Sequence, residues 1–182
     1  MSTVKKLCIC AICIALCYAL PLGFHAIPMG WVFSPLHIPV LLCGLVCGWP
    51  CGLVCGAAGP ILSCLLSSMP TAAQLAYMIP ELCAYGLVCG LLAGRVRTGR
   101  AIFDLYCALV PSLILGRVVG GAARAVFFAL DGQPYSLAMW ASAYFVQTLP
   151  GIILHLAAVP ALVLALRRAR LIPDTARQEA GA

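Results

Sequence analysis

Residues 37–56 read His37-Ile-Pro-Val-Leu-Leu-Cys43-Gly-Leu-Val-Cys47-Gly-Trp-Pro50-Cys51-Gly-Leu-Val-Cys55-Gly56. Two apolar runs meet at Trp49-Pro50. A proline has no amide hydrogen and clashes with the preceding turn, so it ends one helix and opens another. The stretch therefore reads as two apolar helices joined by a tight turn. Gly44, Gly48, Gly52 and Gly56 recur every four residues. In lipid, hydrophobicity gives helices no drive to associate, and small residues at this spacing let backbones approach closely. Gly86, Gly90 and Gly94 repeat the pattern, as do Gly116 and Gly120. The eight-residue echo of 43–50 in 51–58 is too short to define a repeat.

The composition agrees. The 182 residues are 64% hydrophobic and 9% charged, with a mean hydropathy of +1.08. Soluble domains run about 45–50% apolar and about 25% charged. The chain is thus neither a soluble globular domain nor disordered. Six spans of about 20 residues use roughly 120 positions, which leaves no room for a separate soluble domain. The expected spans are Leu7–Phe24, a short Leu36–Gly48, Cys51–Ser68, Ala72–Gly94, Ala101–Leu130 and Ser136–Leu166, the last kinked at Pro150. Between them lie a loop over 25–35 with His25, Pro28, Gly30, Trp31 and Ser34-Pro35, and turns at Met69-Pro70-Thr71 and Asp131-Gly132-Gln133-Pro134. The reading is all-α: a polytopic membrane protein with six transmembrane helices in a single domain over 1–170 and a polar tail over 171–182.

The formal charge of +6 is concentrated at Lys5 and Lys6, at Arg95, Arg97 and Arg100, and at Arg167, Arg168 and Arg170. Basic clusters between apolar runs mark cytoplasmic loops. The charge therefore reports topology and implies no nucleic-acid partner. It places both termini and the 95–100 loop in the cytoplasm of a cell with a multi-pass membrane protein, its outer surface against membrane lipid. Lys5-Lys6 followed by an apolar run mimics a signal peptide, but no small-x-small cleavage site follows, so this segment is expected to be the first helix. Most of the twelve cysteines lie inside apolar runs. They read as small packing residues rather than as a disulfide framework or a metal site.

Ionisable residues inside spans are costly and usually functional. Glu81 lies about 14 Å from the outer end of its span, Arg117 about 20 Å and Gln147 about 16 Å, so the three share a layer. Arg124 stands one heptad after Arg117 and nearer the outside. Tyr77, Glu81 and Tyr85 are spaced by four, and Trp140, Tyr144, Gln147, Gly151 and His155 form one polar-aromatic face. Together they predict an outward pocket between the last three spans, lined by Glu81, Tyr85, Arg117, Arg124, Trp140, Tyr144, Gln147 and His37 and capped by the 25–35 loop. Two arginines suit an anionic ligand, and the aromatics a planar ring. The same residues admit plainer roles. Glu81 and Arg117 would pair and join two helices, Arg124 would snorkel to headgroups, and Trp140 and Tyr144 would sit in an interfacial belt. His155 is placed deep toward the inside as a hydrogen-bonded packing residue. Ala11, Ala15 and Ala19 form a smooth stripe on the first helix, for packing or for docking onto a partner. No phosphate loop, H-E-x-x-H or G-x-S-x-G element is present, so no enzymatic activity and no cofactor are expected.

The stretch 37–56, with Pro60-Ile-Leu-Ser, Ser68-Met-Pro and Pro80-Glu-Leu-Cys-Ala-Tyr-Gly-Leu-Val-Cys-Gly-Leu-Leu, resembles the substrate-binding S component of energy-coupling factor (ECF) vitamin transporters, in the broad group with riboflavin- and pantothenate-type members. The resemblance covers about residues 5–170 and is densest over 34–94. It implies a six-helix prokaryotic membrane protein that binds a vitamin-like small molecule near the outer face. It also implies association with a transmembrane T component and two cytosolic ATPase subunits, which would supply ATP hydrolysis. The family's Ala-x-x-x-Ala docking signature maps onto Ala11 and Ala15. The alternative is a stand-alone secondary transporter with Glu81 as its ion or proton relay.

Overall fold

The computed structural model describes residues 1–25, 30–96 and 98–172. Pro28, Arg97, the tail from 173, and the side chains of His25 and Trp31 lie outside the described residues. The chain forms α1 (Thr3–His25), a 3-10 turn (Gly30–Phe33), α2 (His37–Cys47), α3 (Trp49–Ser67), α4 (Ala72–Arg95), α5 (Ala101–Leu130), α6 (Leu137–Ala141), a π turn (Ser142–Val146) and α7 (Leu149–Arg168). No strand occurs among the described residues. In hydrocarbon every backbone polar group must find its partner within the protein, and a helix does this locally.

Five helices (α1, α3, α4, α5 and α7) are long and apolar enough to cross a membrane. Two of the six expected spans take a different form. α2 has 11 residues, about 16 Å of rise against about 30 Å of hydrocarbon. The long span expected over 136–166 is broken: α6 leads into the π turn, where Gln147 N–H donates to Ser142 O at 2.9 Å, and α7 starts afresh with Pro150 in its first turn. The break precedes Pro150 because the ring suits a first helical turn and not an interior.

Successive legs reverse direction. Cys47 Sγ donates to Lys6 O at 3.6 Å and Cys17 Sγ to Leu36 O at 3.9 Å, so α2 runs back along α1. Gly48, at φ 93°, makes the turn into α3, a backbone conformation that glycine adopts without strain. The capping box of Thr71 and Gln74 opens α4. Asp104 Oδ1 accepts from Thr98 N–H and from the Thr98 hydroxyl, which holds the start of α5 to the preceding turn. One end of the bundle thus gathers the start of α1, the turn at Gly48, the α4–α5 connection and the end of α7. We call it the basic end. The far end gathers residues 30–36, 68–71 and 131–136.

α2 sits at the centre, packed against α1, α3, α4 and α7, with all but Leu45 and Val46 buried. Its glycines and those of α3 and α4 meet backbone to backbone. A Cβ on Gly44 would lie 2.7 Å from Gly86 O, and one on Gly86 would strike the Gly52 backbone. The predicted stripe on α4 stops at Gly90, because nothing lies within 4 Å of a Cβ on Gly94. Cys10, Cys13, Cys17, Cys43, Cys47, Cys55 and Cys89 are buried in this core, and all twelve cysteines are free thiols. Ile172, beyond α7, packs into the same core. Leu65, Leu130 and Leu137 are 77% exposed on the outside, an apolar surface that suits lipid.

Candidate functional site

At the far end, α4, α5 and the broken sixth leg part around a cavity of about 710 Å³. Six of the eight predicted pocket residues line it: His37, Glu81, Arg117, Arg124, Tyr144 and Gln147. Gly30, Ser34 and Pro35 of the 30–36 segment contribute to its wall, as do Met69, Pro70 and Thr71 from the α3–α4 turn.

The other two predicted residues stand behind the wall. Tyr85 is fully buried one turn below Glu81. Its hydroxyl donates to Glu81 Oε1 at 3.1 Å and accepts from Arg117 Nη1 at 3.1 Å. Gly116 makes room for its ring. Glu81 and Arg117 therefore share a layer but are joined through a phenol. Trp140 packs on Gly121, where no side chain would fit, and donates from Nε1 to Arg117 O at 3.2 Å. It braces the α5 backbone.

Arg117 is anchored on three sides. Nε donates to Tyr144 O at 2.8 Å, and Nη1 donates to Tyr85 Oη and to Leu113 O at 3.3 Å. Tyr144 lies on the π turn, and its carbonyl also accepts from the Thr148 hydroxyl at 2.6 Å. The irregular turn is thus tied to α5 at the level of the cavity, as π turns often are near functional sites.

On the α2 side, His37 Nδ1 lies 3.1 Å from Ser34 O, which only accepts, so Nδ1 carries a hydrogen. His37 Nε2 then faces Glu81 Oε1 across 3.5 Å, where one proton, on the imidazole or the carboxyl, completes the bond. His155 stacks on His37 with ring centroids 5.4 Å apart and donates from Nε2 to the same Ser34 carbonyl at 3.2 Å. His155 is hydrogen-bonded packing, as expected, but it lies under the cavity and not near the basic end. Residues 30–36 dip into the bundle to meet it, and a Cβ on Gly151 would crowd Val32 O at 2.8 Å.

Arg124 stands one turn beyond Gly120. Its guanidinium carbon lies 5.2 Å from the Tyr77 ring and 5.3 Å from the Phe128 ring. Tyr77, Gln74, Ser34 and Thr148 line the cavity and were not among the predicted pocket residues. The four-residue spacing to Glu81 pointed to Tyr77. Ser34 belongs to the 25–35 loop expected to cap the pocket, but its residue type gave no sign that it acts through its carbonyl. On α1, Ala11, Ala15 and Ala19 are all exposed, on the face opposite the buried Cys13 and Cys17.

A family model, ECF transporter, substrate-specific component, matches residues 5–163. Comparison with curated proteins and with solved structures gave no match. A multi-pass helical chain with a largely apolar cavity carrying a few charged groups at one end fits that match over most of its length, and the chain belongs to the family of ECF transporter substrate-specific components.

Proposed function

We propose that the chain binds a vitamin or related micronutrient in the far-end cavity and delivers it for ATP-driven uptake across a prokaryotic plasma membrane. The observation that carries this reading is the cavity: a mostly apolar, aromatic-walled space of about 710 Å³ with a few charged and polar groups, of the size and lining that suit a small organic ligand. The family supports a transmembrane T component and two cytosolic ATPase subunits as partners. The exposed Ala11–Ala15 face of α1 is the proposed docking surface.

Lys5, Lys6, Arg95, Arg100, Arg167 and Arg168 gather at the basic end, which supports a cytoplasmic position for that end and for both termini. The cavity then opens outward. The six alternating legs act as one domain over 1–170, with α2 as a short leg enclosed by the others. His37, Glu81, Arg117, Arg124, Tyr144 and Gln147 meet the ligand, and Tyr85 and Trp140 hold Glu81 and Arg117 in place.

Native mass spectrometry of the chain, purified alone and after co-expression with a T component and its ATPases, tests the reading. A retained small molecule and a four-subunit assembly are expected. An empty chain that binds no member of a vitamin panel, and that alone moves a solute down an ion gradient in proteoliposomes, would overturn it in favour of a secondary transporter.

A further inference from the structure

We infer that the ligand is an organic anion with one carboxylate or phosphate, held by Arg124, and a hydrogen-bond donor at its other end directed at Glu81. This rests on the binding role proposed above and assigns a polarity to the same cavity. The two arginines of the wall are not equivalent. Arg117 is 3% exposed and already donates to Tyr144 O, Tyr85 Oη and Leu113 O. Three of its five N–H donors are thus spent on bracing, and only Nη2 is left for a ligand. Arg124 lines the cavity, yet its Nε is buried without a hydrogen-bond partner. No carboxylate pairs with it among the described residues.

A guanidinium has five N–H donors in a plane and no acceptor, so it matches a carboxylate or phosphate. Tyr77 and Phe128 fix that plane before any ligand arrives, and a preorganised donor binds at lower entropic cost. The Phe128 ring also packs on Tyr135, at 5.2 Å between centroids, and the Tyr135 hydroxyl is likewise buried without a partner. Tyr135 is not part of the cavity lining, and what Arg124 presents to the cavity is the part of its guanidinium beyond the buried Nε.

The floor has the opposite character. Tyr85 and His37 both use Glu81 Oε1. Oε2 lies over Gly120, 2.7 Å from where a Cβ would stand, and is left as an acceptor for a ligand N–H or O–H. Gly120 and Arg124 are one turn apart on α5, about 6 Å of rise. The ligand therefore separates its donor-bearing end from its anion by roughly that distance, with Tyr77 and Tyr144 beside the part between. A phospholipid headgroup offers Arg124 the same anion.

The test uses matched acid and neutral probes: pantothenate against panthenol, biotin against biotinamide, nicotinate against nicotinamide, and riboflavin 5′-phosphate against riboflavin. Affinities are measured by calorimetry on the full chain in nanodiscs of phosphatidylcholine, with and without phosphatidylglycerol. The acid of the accepted pair is expected to bind at least roughly tenfold tighter, as one charge-assisted bidentate contact warrants. Arg124→Met should abolish the preference and Arg124→Lys should keep part of it, with helicity by circular dichroism confirming that both variants fold. Equal binding of acid and neutral forms, or a preference that survives Arg124→Met, overturns the inference and leaves micronutrient binding standing. A preference that vanishes in phosphatidylglycerol assigns Arg124 to lipid and also overturns it. Failure of every probe to bind wild type removes the binding role, and this inference with it.

Discussion

The half of the bundle around Gly44, Gly52, Gly86 and Gly90 and the half around the cavity solve opposite problems with the same fold. In the first, helices close until backbones touch, and no side chain intervenes. In the second, α4 and α5 still approach through glycines, but Gly116 and Gly120 face the Tyr85 ring and the Glu81 carboxylate. A small residue in the first region removes a side chain from the interface. In the second it admits one from the neighbouring helix. Glycine spacing alone therefore does not distinguish a sealed interface from the floor of a site. What the facing helix carries decides it.

Substitutions can break this contrast in order of size. Gly86→Val forces a branched side chain into the Gly52 backbone. We expect a loss of about 3 kcal/mol or more, at the upper end for overpacking, seen as loss of the monodisperse peak in size-exclusion chromatography. A well-behaved variant would mean that this interface is looser than described.

Glu81→Ala acts on the other region. It strips the acceptor from Tyr85 and leaves His37 facing an apolar gap. Stranded buried donors cost about 1–3 kcal/mol, so a lower melting temperature in detergent is expected together with loss of ligand binding. Unchanged melting would show that water replaces the carboxylate and that the layer is less closed than the hydrogen bonds imply.

Trp140→Phe keeps the ring on Gly121 and deletes the bond to Arg117 O. About 1 kcal/mol is expected, read as a small fall in melting temperature. A large fall would mean that the brace also holds the π turn. Gly94→Ala is the mildest. It meets nothing within 4 Å and should stabilise α4 by about half a kcal/mol through reduced freedom of the unfolded chain. A destabilised Gly94→Ala would extend the sealed interface one turn beyond Gly90.

Much of this was legible in the sequence. The break between α2 and α3 falls one residue before Trp49-Pro50, at Gly48, and the turn at Met69-Pro70-Thr71 falls where proline chemistry put it; Glu81, Arg117 and Gln147, given similar depths by counting rise, all line the cavity. The pairing of His37 with Glu81 did not follow, because the two residues are 44 positions apart on helices whose register the sequence leaves open. His155 was misplaced in depth because counting assumed one continuous sixth span, whereas the π turn and the break before α7 reset the level. The role of Ser34 was invisible in principle, since a backbone carbonyl leaves no mark on residue type. The difference between Arg117 and Arg124 depends on which neighbours satisfy each guanidinium, and spacing is silent on that.

α2 has a mechanical consequence. Hydrophobic thickness acts on helices that touch lipid, which respond by tilting or by deforming the bilayer. The long helices present much of their surface outward, while α2 is buried except at Leu45 and Val46. A thicker or thinner bilayer therefore loads the surrounding staves of the barrel and leaves its peg unstretched. His37 heads that peg and bonds Glu81, which stands on α4, one of the long helices, so the His37–Glu81 contact is where a change in membrane thickness would be felt at the cavity.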